Sequence, residues 1–247
     1  MEMNPNWRVD DLQIKGYQLI QDPSRFCFGI DAVLLSSYGK VHSGEKVIDF
    51  CTGNGVIPVL MEAKSDCDAH FIGLEIQEES AALARKSVEL NHLQDKIEIV
   101  QGDLRDASKI FRASSFDVVT CNPPYMIAGD GIKNPDDAKS IARHEVLCDF
   151  DDVVRETARI LKMKGRCYFV HRPFRLVELL SKMSAAGIEP KRMRLVYPYV
   201  DKEPNMVLIE GMKGGKGGIK IEPPLIVYKA PGEYTDEIYD IYGYERP

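Results

Sequence analysis

Short apolar runs alternate with segments of helical periodicity along most of this chain. The spacing of Ala82, Lys86 and Leu90, for example, places all three side chains on one side of a helix. The pattern predicts strands at 45–50, 69–76, 96–103, 115–122 and 165–172, and helices at 56–64, 79–91, 104–111, 149–164 and 174–187. Strands that alternate with crossover helices form a parallel sheet with helices on both faces.

The last part of the chain breaks this alternation. Two strand-like runs, at 191–200 and 205–211, are joined by only four residues, which favours an antiparallel hairpin. A further edge strand is expected within 221–229. Five parallel strands followed by a hairpin form the α/β, Rossmann-like plan of class I methyltransferases, with a mostly parallel seven-stranded sheet. The alternation by itself suits a nucleotide dehydrogenase equally well, so the motifs must decide.

Composition narrows the class of protein. The chain has 247 residues, 44% of them hydrophobic, and no apolar run approaches the roughly 20 residues of a membrane span. Its six cysteines are scattered and no histidine stands at ligand spacing, so we expect reduced thiols, no metal and a cytoplasmic protein. The net charge of −6 argues against a protein that coats nucleic acid, but 153–229 carries an excess of Lys and Arg. That excess would suit a polyanion or ordinary solvated helix faces.

A glycine loop, DFCTGNG at 49–55, lies where the first predicted strand meets the first helix. Ligands of doubly wound sheets bind at this place, and Gly53 and Gly55 would let the backbone approach one closely. A dinucleotide site expects a third glycine where Pro58 stands, which argues against NAD. The pattern resembles motif I of S-adenosylmethionine-dependent methyltransferases, with Asp49 in place and Cys51 at the usual first glycine. A simple turn is the alternative.

Two acidic residues end the next two strands. Glu75 stands about twenty residues after the glycine loop, where a carboxylate can accept hydrogen bonds from ribose hydroxyls. Asp103 could accept from an adenine amino group, with Leu104 packing on the ring. Each acid taken alone could equally be a helix cap or a solvated loop residue. Together they favour a nucleoside site, and we expect S-adenosyl-L-methionine as the cofactor.

The fourth strand ends in an asparagine, two prolines and a tyrosine. Pro123 and Pro124 stiffen the corner and push Asn122 toward an extended conformation. An amino group conjugated to a ring or a carbonyl is a poor nucleophile. If Asn122 Oδ1 and the Pro123 carbonyl accept its two N–H bonds, its nitrogen can pyramidalise toward a methyl donor. Tyr125 offers a face on which a planar base can stack.

This corner resembles motif IV of the amino-methyltransferases, [DNS]-P-P-[YFW]. The resemblance implies an sp2-attached nitrogen as the acceptor. It leaves open adenine N6 of DNA or RNA, guanine N2 of ribosomal RNA and glutamine N5 of release factors. A catalytically silent relative that binds RNA or protein is a further alternative, which the presence of all these residues disfavours.

Four segments together resemble the bacterial valine-tRNA adenine-N6 methyltransferases: RFCFGIDAVLLSSY, NPPY, ARHE and PNMVLIEGMKGGKGG. The resemblance covers nearly the whole chain in order. It implies that the anticodon-loop adenine next to the anticodon of a tRNA is methylated. It also implies that an N-terminal segment, 1–45, caps the cofactor site through Asp31, and that 46–247 forms the methyltransferase domain. No protein partner is indicated, and the oligomeric state is open.

Basic residues supply candidate RNA contacts. Those in the insertion after NPPY are Arg143 and His144. Those nearer the C-terminus are Arg172, Arg175, Arg192, Arg194, Lys213 and Lys216. The flexible and basic KGGKGG segment could follow a phosphate backbone, or could simply be a hairpin loop. An adenine in a single-stranded loop is accessible without opening a duplex.

Overall fold

A computed structural model describes residues 6–24, 27–123 and 148–246. Its strands are β1 (Arg8–Asp11), β2 (Gln18–Gln21), β3 (Lys46–Phe50), β4 (His70–Glu75), β5 (Ile97–Gln101), β6 (Phe116–Cys121), β7 (Leu161–His171), β8 (Ile188–Tyr197), β9 (Met206–Lys213), β10 (Lys220–Ile221), β11 (Leu225–Ile226), β12 (Tyr228–Ala230) and β13 (Glu233–Tyr234). Its α-helices are α1 (Ile30–Tyr38), α2 (Val56–Lys64), α3 (Glu78–Leu90), α4 (Ala107–Ile110), α5 (Phe150–Ile160), α6 (Leu176–Ala185) and α7 (Asp236–Tyr242). Two short 3-10 turns cover Leu104–Asp106 and Pro173–Arg175.

The central sheet has the strand order β10-β8-β9-β7-β6-β3-β4-β5, and β11 also pairs with β8. Strands β3 to β7 are parallel, whereas β9 runs antiparallel to both β7 and β8. The α/β fold, its seven long strands and its C-terminal antiparallel hairpin are therefore confirmed. The two-residue strand β11 lies within the predicted edge segment 221–229, and the two-residue strand β10 adds to the edge beyond the prediction. Consecutive prolines, Pro223 and Pro224, separate them because proline cannot donate to a sheet.

Successive strand residues point to opposite faces, and each face has its own core. Val47 belongs to the cluster that includes residues of α1, α2 and α3, whereas Ile48 and Phe50 belong to the cluster that includes residues of α5 and α6. All three strand side chains are at most 1% exposed. Helices therefore cover both faces of the sheet, which leaves the ends of the strands for a ligand.

The N-terminal residues pack on the same core. Hairpin β1–β2 lies against α3, where Ile20 N donates to Ser87 Oγ at 3.1 Å and Gln18 N donates to Asn91 Oδ1 at 2.8 Å. Helix α1 packs against α2 and contacts β7. Its residues 32–36 are all buried, so the start of α1 is held rigidly relative to the sheet.

One helix ends earlier than its sequence pattern predicts. The pattern extends α5 to Lys164, but the helix ends at Ile160 and β7 begins at the next residue. Leu161 pairs with Phe116 of β6, and Lys164 adopts a positive φ of 67°, which a helix cannot contain. Among the described residues, no helix is both long and apolar enough to cross a membrane.

Candidate active site

The residues singled out in the sequence meet at the carboxyl edge of the parallel strands. The register pairs Phe50 with Leu74 on one side and with Cys121 on the other. The loops that follow β3, β4 and β6 therefore leave the sheet side by side. Strand β5 lies next to β4 and ends at the same edge. The glycine loop, Glu75, Asp103 and Asn122 are thus brought to one edge of the sheet, where doubly wound folds bind ligands in a crevice.

The glycine loop turns tightly between β3 and α2. Cys51, Gly53 and Gly55 have φ angles of 55°, 57° and 82°, all in the left-handed region. A Cβ added to Gly55 would lie 3.2 Å from Ala84 Cβ, so this glycine lets the loop pack on α3. A Cβ added to Gly53 would meet nothing within 4 Å. Open space above Gly53, beside bare backbone, is what the close approach of a cofactor requires.

Glu75 braces this loop from the neighbouring strand. Its Oε2 accepts from Gly53 N and its Oε1 accepts from Gln77 N, both at 2.9 Å, and the residue is only 6% exposed. The role of Glu75 toward ribose hydroxyls stays a prediction. A carboxylate beside a ligand crevice thus also holds the loop that would touch the ligand.

Asp49 is buried under the loop at 1% exposure. Thr120 Oγ1 of β6 donates to Asp49 Oδ1 at 2.7 Å. Burial raises the pKa of Asp49 to about 7, while the hydrogen bond from Thr120 opposes the rise and the charge of Glu75 adds to it. A cationic ammonium group brought nearby would favour ionised Asp49. Sequence reasoning missed Thr120, although a threonine inside the apolar run FDVVTC was its available signal.

Asp103 caps the 3-10 turn that follows β5. Its carboxylate accepts from Arg105 N and Arg105 Nε, each at 2.9 Å, and these hydrogen bonds lower its pKa. Arg105 therefore already contacts the carboxylate for which an adenine amino group is predicted. Leu104 is 5% exposed and packs in the core cluster on the α5 and α6 side of the sheet.

Asn122 lies at the end of β6, next to buried Pro123. Its Nδ2 donates to Asp31 Oδ2 of α1 at 2.9 Å, a contact between residues 91 positions apart in the chain. Pro124, Tyr125, Arg143 and His144 lie outside the described residues.

Three thiols lie together beneath the crevice. The Cys51 thiol interacts with those of Cys121 and Cys148, and none of the three cysteines forms a disulfide. The pKa of Cys51 is raised well above its usual value, by the Cys121 thiol first and by burial as well. Burial raises the pKa of Cys121 in turn. Protonated thiols are poor nucleophiles, so the raised pKa disfavours a reactive role for Cys51. In the described parts of the chain, no group of side chains could hold a metal ion.

Most of the basic residues predicted to contact RNA make intramolecular bonds. Arg194 forms an ion pair with Glu237 and also donates to the Pro223 carbonyl. Lys213 Nζ donates to Leu161 O at 2.7 Å.

Two further arginines are engaged in the same way. Arg192 pairs with Glu210 and Glu222 beneath the ring of Tyr38. Arg175 pairs with Glu178. Arg192, Arg194 and Lys213 therefore have structural roles that a count of charges could not reveal. Lys216 is exposed.

One surface beside the crevice joins two predicted arginines, Arg172 and Arg175, to an aromatic residue that was not predicted. The pairing of Cys121 with Phe169 puts His171 level with Pro123, and the 3-10 turn Pro173–Arg175 follows directly. Phe174 in that turn is 63% exposed and stands between Arg172 and Arg175. We call Arg172, Phe174 and Arg175 the RFR surface. Arg172 Nη1 donates to Asn205 O at 3.0 Å, which ties the turn to the start of β9.

Known proteins resemble both the sequence and the fold. A family model described as a methyltransferase domain matches residues 41–194. A protein from Bacteroides thetaiotaomicron named tRNA1(Val) (adenine(37)-N6)-methyltransferase is 31% identical over 155 residues, which is 62% of each chain. A protein of the same name from Aeromonas hydrophila is 24% identical over 93% of this chain and 94% of its own.

A solved structure described as a predicted O-methyltransferase from Agrobacterium tumefaciens superposes with a TM-score of 0.70 at 21% identity, covering 86% of this chain and 95% of that one. At this identity the likeness bears on the fold alone. The family resemblance that the motifs indicated is confirmed by the relatives, and the match of the family model to well over half of the chain makes it a member of the methyltransferase domain family.

Proposed function

We propose that this protein transfers a methyl group from S-adenosyl-L-methionine to N6 of an adenine in tRNA. The acceptor that we propose is the anticodon-loop adenine adjacent to the anticodon of a valine tRNA. The observation that carries the proposal is the placement of Asn122 and Pro123 at the end of β6, beside the glycine loop and Glu75. The names of the relatives support the same acceptor.

The crevice has features that suit the cofactor. The open space above Gly53 would receive the methionine part, with buried Asp49 near its ammonium group. Glu75 would accept from the ribose hydroxyls, and Asp103 would accept from the adenine amino group once Arg105 yields part of its contact. Leu104 would pack under the adenine ring. This proposed arrangement follows from the positions of these residues in the protein and from the order of the strands.

The chemistry requires a positioned acceptor rather than a protein nucleophile. When bound, the cofactor supplies a methyl group on a positively charged sulfur. The adenine nitrogen forms a bond to the methyl carbon as the carbon–sulfur bond breaks, and S-adenosylhomocysteine leaves. Positive charge on the nitrogen is then lost with a proton to solvent. Asn122 Oδ1 and the Pro123 carbonyl would stabilise that charge, because both present oxygen to the N–H groups.

The N-terminal segment would close one side of this site, as proposed from the sequence. The contact from Asp31 to Asn122 supports this role. Gln21 adds to it, since its Oε1 accepts from Asn54 Nδ2 of the glycine loop at 3.4 Å and from Phe28 N at 3.1 Å. A tRNA substrate would also place the enzyme in the cytoplasm, and we propose that it acts without an obligate protein partner.

The test offers methyl-labelled S-adenosylmethionine together with unmodified tRNA, plasmid DNA or a release factor in separate reactions. We expect label in tRNA, recovered as N6-methyladenosine after digestion, and about a 100-fold or larger loss in Asn122→Ala. Label only in DNA or in the release factor would keep the chemistry and overturn the tRNA substrate. Cofactor binding measured by calorimetry on the same samples would show whether an inactive variant is still folded.

A further inference from the structure

We propose that Asp31 is a positioning residue that orients the side-chain amide of Asn122 for catalysis. The inference rests on the proposed function and adds a residue to it. Asp31 Oδ2 accepts from Asn122 Nδ2 at 2.9 Å. The partners come from α1 and from the end of β6, so the contact joins the N-terminal segment to the reacting corner.

The chemistry of the pair determines which way the amide faces. An ionised carboxylate can only accept hydrogen bonds, so it selects the NH2 group of Asn122 as its partner. Oδ1 of Asn122 is then turned away from Asp31. The reaction needs an acceptor toward the substrate amino group. A reversed amide would present N–H groups to N–H groups and would repel the substrate nitrogen.

The carboxylate is itself held in place. Asp31 stands in the first turn of α1, where the helix dipole favours a negative charge, and its Oδ1 accepts from Ala32 N at 2.9 Å. A Cβ added to Gly29 would lie 2.9 Å from Asp31 Oδ1. Glycine at position 29 therefore leaves the room that this carboxylate occupies. The buried face of α1 against α2 keeps the whole pair registered to the sheet.

The distribution of charge favours the same role. During transfer the acceptor nitrogen becomes positive, and Asp31 places a negative charge one side chain away from it. Hydrogen bonding of the amide NH2 to a carboxylate also makes its carbonyl oxygen a better acceptor, since linked hydrogen bonds polarise one another. Asp31 would thus act through Asn122 and not on the substrate.

A double-mutant cycle tests the coupling. We expect Asp31→Ala to lower kcat by about 10- to 100-fold, because a displaced group near the reacting atoms has effects of this size. Affinity for S-adenosylhomocysteine, measured by calorimetry, should fall by far less than kcat, because Asp31 closes one side of the cofactor site but acts on the rate through Asn122. Asp31→Ala combined with Asn122→Ala should be no slower than Asn122→Ala alone. Multiplying effects, or a loss of cofactor affinity that accounts for the loss of rate, would overturn the proposal.

A reversed pair provides a rescue. In Asn122→Asp two carboxylates face each other, and activity should fall. Adding Asp31→Asn lets the new amide donate to the new carboxylate, which leaves an oxygen for the substrate. We expect the double variant to be faster than Asn122→Asp alone.

Gly29→Ala, which crowds only the end of the Asp31 side chain, should lower kcat with an unchanged melting temperature. Absence of both effects would contradict the role.

A spectroscopic readout separates this proposal from the proposed function. The side-chain amide signals of Asn122 are identified by their absence in Asn122→Ala. In Asp31→Ala they should shift and exchange faster with water, whereas other side-chain amides should not. If the wild-type protein methylates no tRNA but the signals respond, the function is wrong and the pair stands. If tRNA is methylated and the signals do not respond, the pair is wrong and the function stands.

Discussion

At the scale of single residues, the glycine loop covers a buried carboxyl group, Asp49, whose ionisation is energetically costly. Asp49 is buried, its Oδ1 accepts a hydrogen bond from Thr120 Oγ1 at 2.7 Å, and its pKa is raised to about 7. Its ordinary pKa is 3.8. A buried carboxylate of this kind costs stability when it ionises, and it gains a partner when a cation binds.

This residue gives the first prediction. Because the folded-state pKa exceeds the unfolded one, the unfolded chain releases this proton first, and stability falls as pH rises from about 4 to 7. The wild type should therefore lose stability between pH 5 and pH 8, and Asp49→Asn should not lose it for this reason. We expect the free energy of unfolding of Asp49→Asn, relative to that of the wild type, to be about 2–3 kcal/mol higher at pH 8 than at pH 5, at 1.36 kcal/mol per pKa unit. Urea unfolding at the two pH values measures it.

Asp117 is the matched control, also at the sheet but with a lowered pKa. Burial alone would raise that pKa, but Lys162 and the backbone N–H of Lys46 outweigh it. Asp117 is ionised in both states above pH 5, so Asp117→Asn should change stability equally at pH 5 and pH 8. Equal pH responses of the two variants would mean that Asp49 is not the group responsible.

At the scale of elements, the loop between β3 and α2 depends on one glycine for two reasons. Gly55 has a φ of 82° and its Cα faces Ala84 of α3. Gly44 also has a positive φ, 79°, but a Cβ there would meet nothing within 4 Å. Substitutions at Gly44 and Gly55 therefore separate the cost of backbone strain from the cost of steric crowding.

We expect Gly44→Ala to lower the free energy of unfolding by about 1–2 kcal/mol, the cost of left-handed backbone for a residue with a Cβ. Gly55→Ala should lose about 1 kcal/mol more, because α3 or the loop must shift. The shift should also weaken binding of S-adenosylhomocysteine, which Gly44→Ala should leave alone. Denaturant unfolding and calorimetry measure the two effects. Identical losses in both variants would show that the contact with Ala84 contributes nothing.

At the scale of the whole molecule, a count of charges does not show which basic residues pair with acids within the fold. Most of the Lys and Arg side chains within 153–229 form ion pairs with acidic side chains of the protein, as Arg192 and Arg194 do. The RFR surface sets the exposed ring of Phe174 at the carboxyl edge of the sheet, between Arg172 and the ion-paired Arg175, and an exposed ring there suits single-stranded nucleic acid.

We therefore expect Phe174→Ala to raise the KM for tRNA by about tenfold, since stacking on one base is worth about 1–3 kcal/mol. Affinity for S-adenosylhomocysteine should not change. Met163→Ala is the control. Met163 is 66% exposed near the start of β7, whereas Phe174 follows the end of that strand. Initial rates at varied tRNA concentration measure both variants. If the two substitutions raised KM alike, the RFR surface would have no special part in binding tRNA.

The sequence alone determined the layered α/β plan, the hairpin at its edge and the residues that end each parallel strand. These features follow from local periodicity and from the rule that parallel strands end at one edge. Only the tertiary structure decided which side chains meet. The pairing of Asp31 with Asn122 and of Arg194 with Glu237 depends on how distant elements pack. The early end of α5 has the same cause, because pairing of Leu161 with β6 outweighs a weak local preference for helix.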